Sequence, residues 1–397
     1  MTNEQAFFLR VLRDYLFDLP TDPDPTVDET KLVAWAEAHE LGGIFYVQYV
    51  RQIRNKELRK RLNTEFGSAV SHSTNLNADY AELSATLKGA GIPYLPVKGI
   101  LIAPFYPDPE LRTMGDVDLL IHAEDAERVR DLLTPLGCRV EAWAKTEWHY
   151  RRSSVRYEFQ SLLMDAEAPD IGDINAYFNN FWTHAQPDGE NAQRLDPNFH
   201  FLYLIGHIAK HLRWIGVGFR QFFDLAVLMT RREQPYDWDW IRREAERIGF
   251  FRFTECCLAF NERWFGVPSP YGADCLSDEL FESVTQKIFQ DGVFGFENEM
   301  NRLHKLEKYS RDSKAPLLLA RIRAAKKLMF PPYRDLIVSE KYAALRGKPW
   351  LLPLYWFRRG LRNKASLRNG ELDAVLHASG QQVRERRQQL IDLGLSK

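Results

Sequence analysis

Cysteine is scarce: Cys138, Cys256, Cys257 and Cys275 are the only four in 397 residues. They lack a paired metal-ligand spacing and the density of a disulfide-stapled secreted domain, so they read as reduced, partly buried thiols. Long apolar runs are missing too. No stretch approaches the about 18 apolar residues of a membrane span, and Glu4, Arg10, Arg13 and Asp14 break up the segment where a signal peptide would need one. The expected location is the cytoplasm, with no membrane partner. An excess of either charge is also absent, since 53 Lys+Arg against 54 Asp+Glu leave a formal net charge of -1. A nonspecific nucleic-acid binder normally carries a basic excess, so bulk electrostatics names no partner.

What is present describes a folded protein: 45% of residues are hydrophobic and 13% aromatic. At about 150 residues per domain the length suggests two or three domains. Apolar residues at Phe7, Phe8, Val11, Leu12, Tyr15 and Leu16 recur at helical spacing, and helical patterns continue over 31–39, 44–53 and 57–87, the last closed by Gly89 and Gly91. The texture then changes. Short β-branched segments predict strands over 92–99, 116–121, 138–143 and 155–163, with a helix over 125–136. From Pro197 onward the pattern is helical again, with two apolar-faced segments separated by Gly216 and Gly218. The charged final stretch reads as a helix lying on the surface or fraying. The expected organisation is α+β: an N-terminal helical segment (1–90), a mixed-sheet α/β core (91–185) and a C-terminal helical domain (197–397).

The chemistry concentrates in RTMGDVDLLI. Side chains alternate along a strand, so Asp116 and Asp118 share one face while Val117 and Leu119 take the other. Such a carboxylate pair suits Mg²⁺, or Mn²⁺ in its place, bridging carboxylates to substrate phosphates; the bland alternative is a pair of solvated aspartates at a strand entry. Lys98 and Gly99 close the preceding strand, where a triphosphate needs positive charge and backbone amides. Glu158, in VRYEFQSLL, stands to add a third carboxylate, which makes a two-metal phosphoryl-transfer site conceivable; otherwise it is a solvent-facing strand residue. His207 and His211 are four apart on one helix face but lack a third ligand or the glutamate of a metalloprotease motif. Arg220 and Asp224 have the same spacing and suit an ion pair with each other. Tyr236, Trp238 and Trp240 offer either a base-stacking platform or core packing.

These segments resemble the uncharacterised nucleotidyltransferase family of the DNA polymerase β-like superfamily. The resemblance rests on Lys98–Gly99, Tyr106–Pro107, Arg112, Gly115–Asp116–Val117–Asp118 and Gly137. It extends through HIAKHLRW and FRQFFDLAVLM to MFPPYRDL, over most of the chain. It implies a minimal polymerase β-like mixed sheet embedded between helical segments, and Mg²⁺-dependent transfer of a nucleoside monophosphate from an NTP to an acceptor, which is a small molecule, a protein or an RNA end. Asp116, Asp118 and Glu158 would hold the metal; Lys98, Gly99, Arg112, Gly115, His207, His211 and Arg220 would meet the nucleotide. There are two departures. Lys98–Gly99 stands where the superfamily usually has Gly-Ser, so a serine hydroxyl for the phosphates is not carried over. Gln160 stands where the family often has His, and this supports the alternative of a catalytically weakened nucleotide-binding regulatory module.

Overall fold

The computed structural model of the protein describes residues 1–164, 174–189, 191–214, 216–292, 322, 326, 329–337, 340–362 and 380–396. Helix α1 (Asn3–Leu16) starts at a capping box in which Thr2 and Gln5 satisfy each other's backbone N–H groups. Helices α2 (Glu29–Ala38) and α3 (Gly42–Tyr49) follow. The long α4 (Lys56–Gly89) is capped by Asn55, whose side chain accepts from the Glu57 N–H at 2.9 Å. It ends before Gly91, whose φ of +66° is the left-handed conformation glycine tolerates best.

The sheet comprises β1 (Tyr94–Val97), β2 (Val117–Ile121), β3 (Arg139–Trp143), β4 (Glu147–Arg152) and β5 (Val155–Gln160), in the order β1-β2-β5-β4-β3. Strands β2 and β5 run parallel and the other neighbours antiparallel, so the sheet is mixed and the class is α+β. Strand β4 is the one the sequence reading does not anticipate.

Alternation divides the sheet into two chemically distinct faces. Val117, Leu119, Trp148, Tyr150, Tyr157 and Phe159 point into a core with Leu76, Leu83 and Leu87 of α4 and with Val129 and Leu133 of α6 (Ala126–Leu133). On the opposite face the register places Asp118 beside Glu158, and Glu158 beside His149. Three polar side chains therefore stand in a row across three strands.

The short α5 (Gly99–Ile102) lies between β1 and β2, and α7 (Ile174–Asn179) follows β5. The polar face is closed over by α8 (Pro197–Trp214) and α9 (Phe219–Arg231), which share an apolar core with α10 (Trp238–Arg247), α11 (Phe251–Phe265) and α12 (Asp278–Asp291). Helices from the two ends of the sequence share a single apolar core. Phe8 of α1 stacks on Phe45 at 4.8 Å and lies 5.8 Å from Phe219 and 5.4 Å from Phe289. The aromatic run at 236–240 contributes to packing, with the Tyr236 ring 4.4 Å from that of Phe201. The C-terminal helix Gly380–Asp392 is anchored rather than fraying: Leu390, Leu393 and Leu395 are fully buried, and Arg213 donates to the Leu395 carbonyl at 2.8 Å.

One buried cluster ties the β1–β2 connection to α9. Arg112 donates through Nε and Nη2 to the two carboxylate oxygens of Asp224 at 3.1 and 2.7 Å, and Tyr106 donates its hydroxyl to the same carboxylate at 2.7 Å. Asp224 is thus not the partner of Arg220, despite their spacing. Both members of the Arg112–Asp224 pair are buried. Asp224→Ala should cost about 3–5 kcal/mol by leaving the guanidinium buried and unpaired; a loss below about 1 kcal/mol in urea denaturation would show that the pair does not hold the connection in place.

Candidate active site

Strand β1 ends at Lys98, whose backbone adopts φ +59° and ψ -129°, a conformation that L-residues rarely take. The turn is held from behind, since the Lys98 N–H donates to His200 Nε2 at 3.3 Å. Burial keeps His200 neutral, with its pKa down to about 4, so the ring nitrogen remains an acceptor. The next residue has to be glycine. A Cβ on Gly99 would lie 2.5 Å from Arg112 Nη1 and 2.6 Å from Met114 Sδ, closer than packed atoms approach. The turn directs the Lys98 ammonium to Asp118 Oδ1 at 2.6 Å.

Asp118 is buried and also accepts from Gln160 Nε2 at 3.2 Å, while the same amide donates to Glu158. Asp116, just before β2, is only half-buried and makes no hydrogen bond or ion pair among the described residues. Beyond Glu158, His149 Nε2 lies 3.8 Å from Glu158 Oε2 and contacts Glu147 as well. The crowding shows in the acidities. Burial, with Asp118, Glu147 and Asp116 adding to it, lifts Glu158 from an ordinary 4.5 to about 7 against the pull of Lys98. Burial likewise raises Asp118 despite Lys98. At Lys98 burial works against the ammonium, but Asp118 and its other neighbours outweigh it and hold the pKa well above the usual value.

The facing wall comes from α8 and α9. His207 and His211 stack edge-on with ring centroids 4.3 Å apart, and burial, with Lys98 nearby, keeps both neutral, His211 at about 3. Arg220 reaches Glu40 and donates to the Thr113 carbonyl at 2.7 Å, an oxygen that also accepts from Arg112 Nη1 at 3.0 Å. Two arginines thus grip the residue that leads into Gly115 and Asp116. Arg220 Nε and His211 Nδ1 are buried with no hydrogen-bond partner among the described residues.

Between the walls lies a cavity of about 370 Å³. Lys98, Gly99, Arg112, Gly115, Asp116, Asp118, Glu158, His207, His211 and Arg220 all line it. The sequence reading missed Glu147, His149 and His200. The first two were signalled by EWHYRR, where polar Glu147, His149 and Arg151 alternate with Trp148 and Tyr150.

The donor set fits a divalent cation. Asp116, Asp118 and Glu158 supply the hard carboxylate oxygens that such an ion takes, Asp116 without a hydrogen bond or ion pair among the described residues, although the three do not come within 4.8 Å of one another. The only group of three metal-ligating side chains found within 4.8 Å of one another among the described residues is Glu147, His149 and Glu158. No helix among the described residues is long and apolar enough to cross a membrane. A family model described as an uncharacterised nucleotidyltransferase matches residues 25–266. No curated protein and no solved structure matches the chain.

The raised Glu158 fixes a direction for stability. Between its ordinary 4.5 and about 7 the folded metal-free protein retains a proton that the unfolded chain has released, so this contribution is full below pH 4.5 and is lost as pH rises through 7. At about 1.4 kcal/mol per pKa unit the loss is on the order of 3 kcal/mol, less whatever solvent screens at this partly exposed carboxylate. In EDTA-treated protein, Glu158→Gln should flatten the fall in melting temperature between pH 5 and 8. Parallel pH profiles for wild type and variant would remove Glu158 as its source.

Proposed function

The chain belongs to the uncharacterised nucleotidyltransferase family, and from that membership and its carboxylate row we propose that it transfers a nucleoside monophosphate from an NTP to an acceptor, releasing pyrophosphate, with Mg²⁺ or Mn²⁺ as cofactor. The observation that carries this reading is the register of Asp118 beside Glu158, with Asp116, unpartnered among the described residues, at the same cavity and His207, His211 and Arg220 lining its opposite wall. In the proposed arrangement, Asp116, Asp118 and Glu158 hold the metal. The chemistry that a divalent ion held by these carboxylates would supply is charge neutralisation of the triphosphate and polarisation of the phosphorus.

The chain's own side chains do the rest. Lys98, fixed by its turn, places positive charge in the cavity where phosphate charge develops, and Arg220 adds positive charge from the facing wall. Arg112 serves the site by holding the connection that delivers Gly115 and Asp116. Glu158 completes the ligand set and helps to activate the acceptor, whether a small molecule, a protein side chain or an RNA end. Phosphoryl-group reactions depend on such positioning and electrostatics more than on covalent chemistry. The polymerase β-like sheet and the division into 1–90, 91–185 and 197–397 belong to the same proposal.

One observation favours a second reading. The Gln160 amide donates to both Asp118 and Glu158 and so occupies oxygens that a metal would use. A regulatory module that binds NTP without turnover would tolerate this. Pyrophosphate release measured with each NTP, Mg²⁺ and a cell extract as the source of acceptor separates the two. Wild type should release pyrophosphate, and Asp116→Asn and Asp118→Asn should each lower the rate about 100-fold or more, the scale of removing one preorganised electrostatic contact. NTP binding without release would favour the regulatory module, and no Mg²⁺-dependent NTP binding would contradict both.

A further inference from the structure

Strand β4 brings Glu147 and His149 to the same face as Glu158, with His149 and Glu158 in direct register on neighbouring strands. His149 Nε2 faces two carboxylates at once, touching Glu147 and lying 3.8 Å from Glu158 Oε2. One donor atom from each of the three lies within 4.8 Å of the others. We propose that Glu147, His149 and Glu158 form a second divalent-cation site, selective for a first-row transition ion over Mg²⁺, on the side of Glu158 away from Asp118. It rests on the nucleotide reading only in sharing Glu158.

Ligand chemistry gives the selectivity. Mg²⁺ demands near-ideal octahedral oxygen coordination and dehydrates reluctantly, whereas an imidazole nitrogen beside two carboxylates suits ions of the Mn²⁺ to Zn²⁺ series. The surroundings favour a cation as well. Arg151 and Arg156, the nearby positive groups on β4 and β5, are both drawn onto Glu141, Arg156 at 2.9 Å, and so are held by another carboxylate. The Glu147 side chain is 40% exposed, which leaves coordination positions open to water or to an entering acceptor. The row on the sheet then contains two sites in sequence: an all-oxygen site at Asp116 and Asp118, and a mixed nitrogen–oxygen site at His149, with Glu158 between them.

The test uses metal-free full-length protein and reads binding, not turnover. Mn²⁺ is titrated while its free electron paramagnetic resonance signal is followed, and Mg²⁺ is titrated by calorimetry. Wild type should bind two Mn²⁺. His149→Ala and, separately, Glu147→Gln should each weaken one of them at least 10-fold and leave Mg²⁺ binding unchanged, with circular dichroism showing an intact fold. Asp116→Asn should retain the His149-dependent Mn²⁺. If both variants bind Mn²⁺ with wild-type stoichiometry and affinity, or if Mg²⁺ displaces both Mn²⁺ equally, the second site is wrong. Should neither Mg²⁺ nor an Asp116-dependent Mn²⁺ bind while His149-dependent Mn²⁺ binding persists, the second site stands and the nucleotidyl-transfer reading falls.

Discussion

Like charges crowded onto one face of a sheet repel, and this face is organised around that problem. Asp118, Glu158 and Glu147 share it with Asp116 at its entry, and the Lys98 ammonium pairs with Asp118 at 2.6 Å. In a partly dehydrated cavity such a contact is worth several times its value in water. The backbone at Lys98 is held in a rare conformation to make it, with His200 accepting the turn's N–H and Gly99 leaving space for Arg112. Residues that support an unfavourable conformation and an under-neutralised cluster together are spending stability on a site.

The rest of the structure keeps that face in position. The pleat sends aromatic side chains into the core under α4 and α6 and leaves the polar residues for the cavity, so the two faces have separate chemical roles. The wall opposite cannot drift, because α1 and α3 share a core with α9 and α12. Asp224 gathers Tyr106 and Arg112, while Arg220 and Arg112 meet at the Thr113 carbonyl. The short segment carrying Gly115 and Asp116 is therefore gripped from α9. Arg112, which suggests a phosphate ligand on paper, commits Nε, Nη1 and Nη2 to the protein itself, whereas Arg220 bonds through Nη1 alone among the described residues.

Much of this was legible in the sequence because it is local. The alternation in GDVDLLI places both aspartates on one face, the short apolar runs mark β1, β2, β3 and β5, and glycine after Lys98 marks a tight turn. Other features depend on contacts between distant residues. Helical spacing pairs Arg220 with Asp224, yet tertiary packing offers each a different partner, Glu40 for one and Arg112 for the other. The core shared by Phe8, Phe219 and Phe289 joins residues that only folding brings together. Strand β4 was overlooked for a different reason: with charged or polar residues at every second position, EWHYRR reads as a polar loop unless one face of the strand borders a site.

The proposed nucleotidyl transfer breaks the bond between the α- and β-phosphates of the NTP. The most direct measurement gives the protein two forms of the same NTP, labelled at the α- or at the γ-phosphate, with Mg²⁺ and cell extract. The account predicts that the α-label moves to an acceptor while the γ-label appears in pyrophosphate. Transfer of the γ-label to the acceptor, or no Mg²⁺-dependent movement of either label, would contradict it.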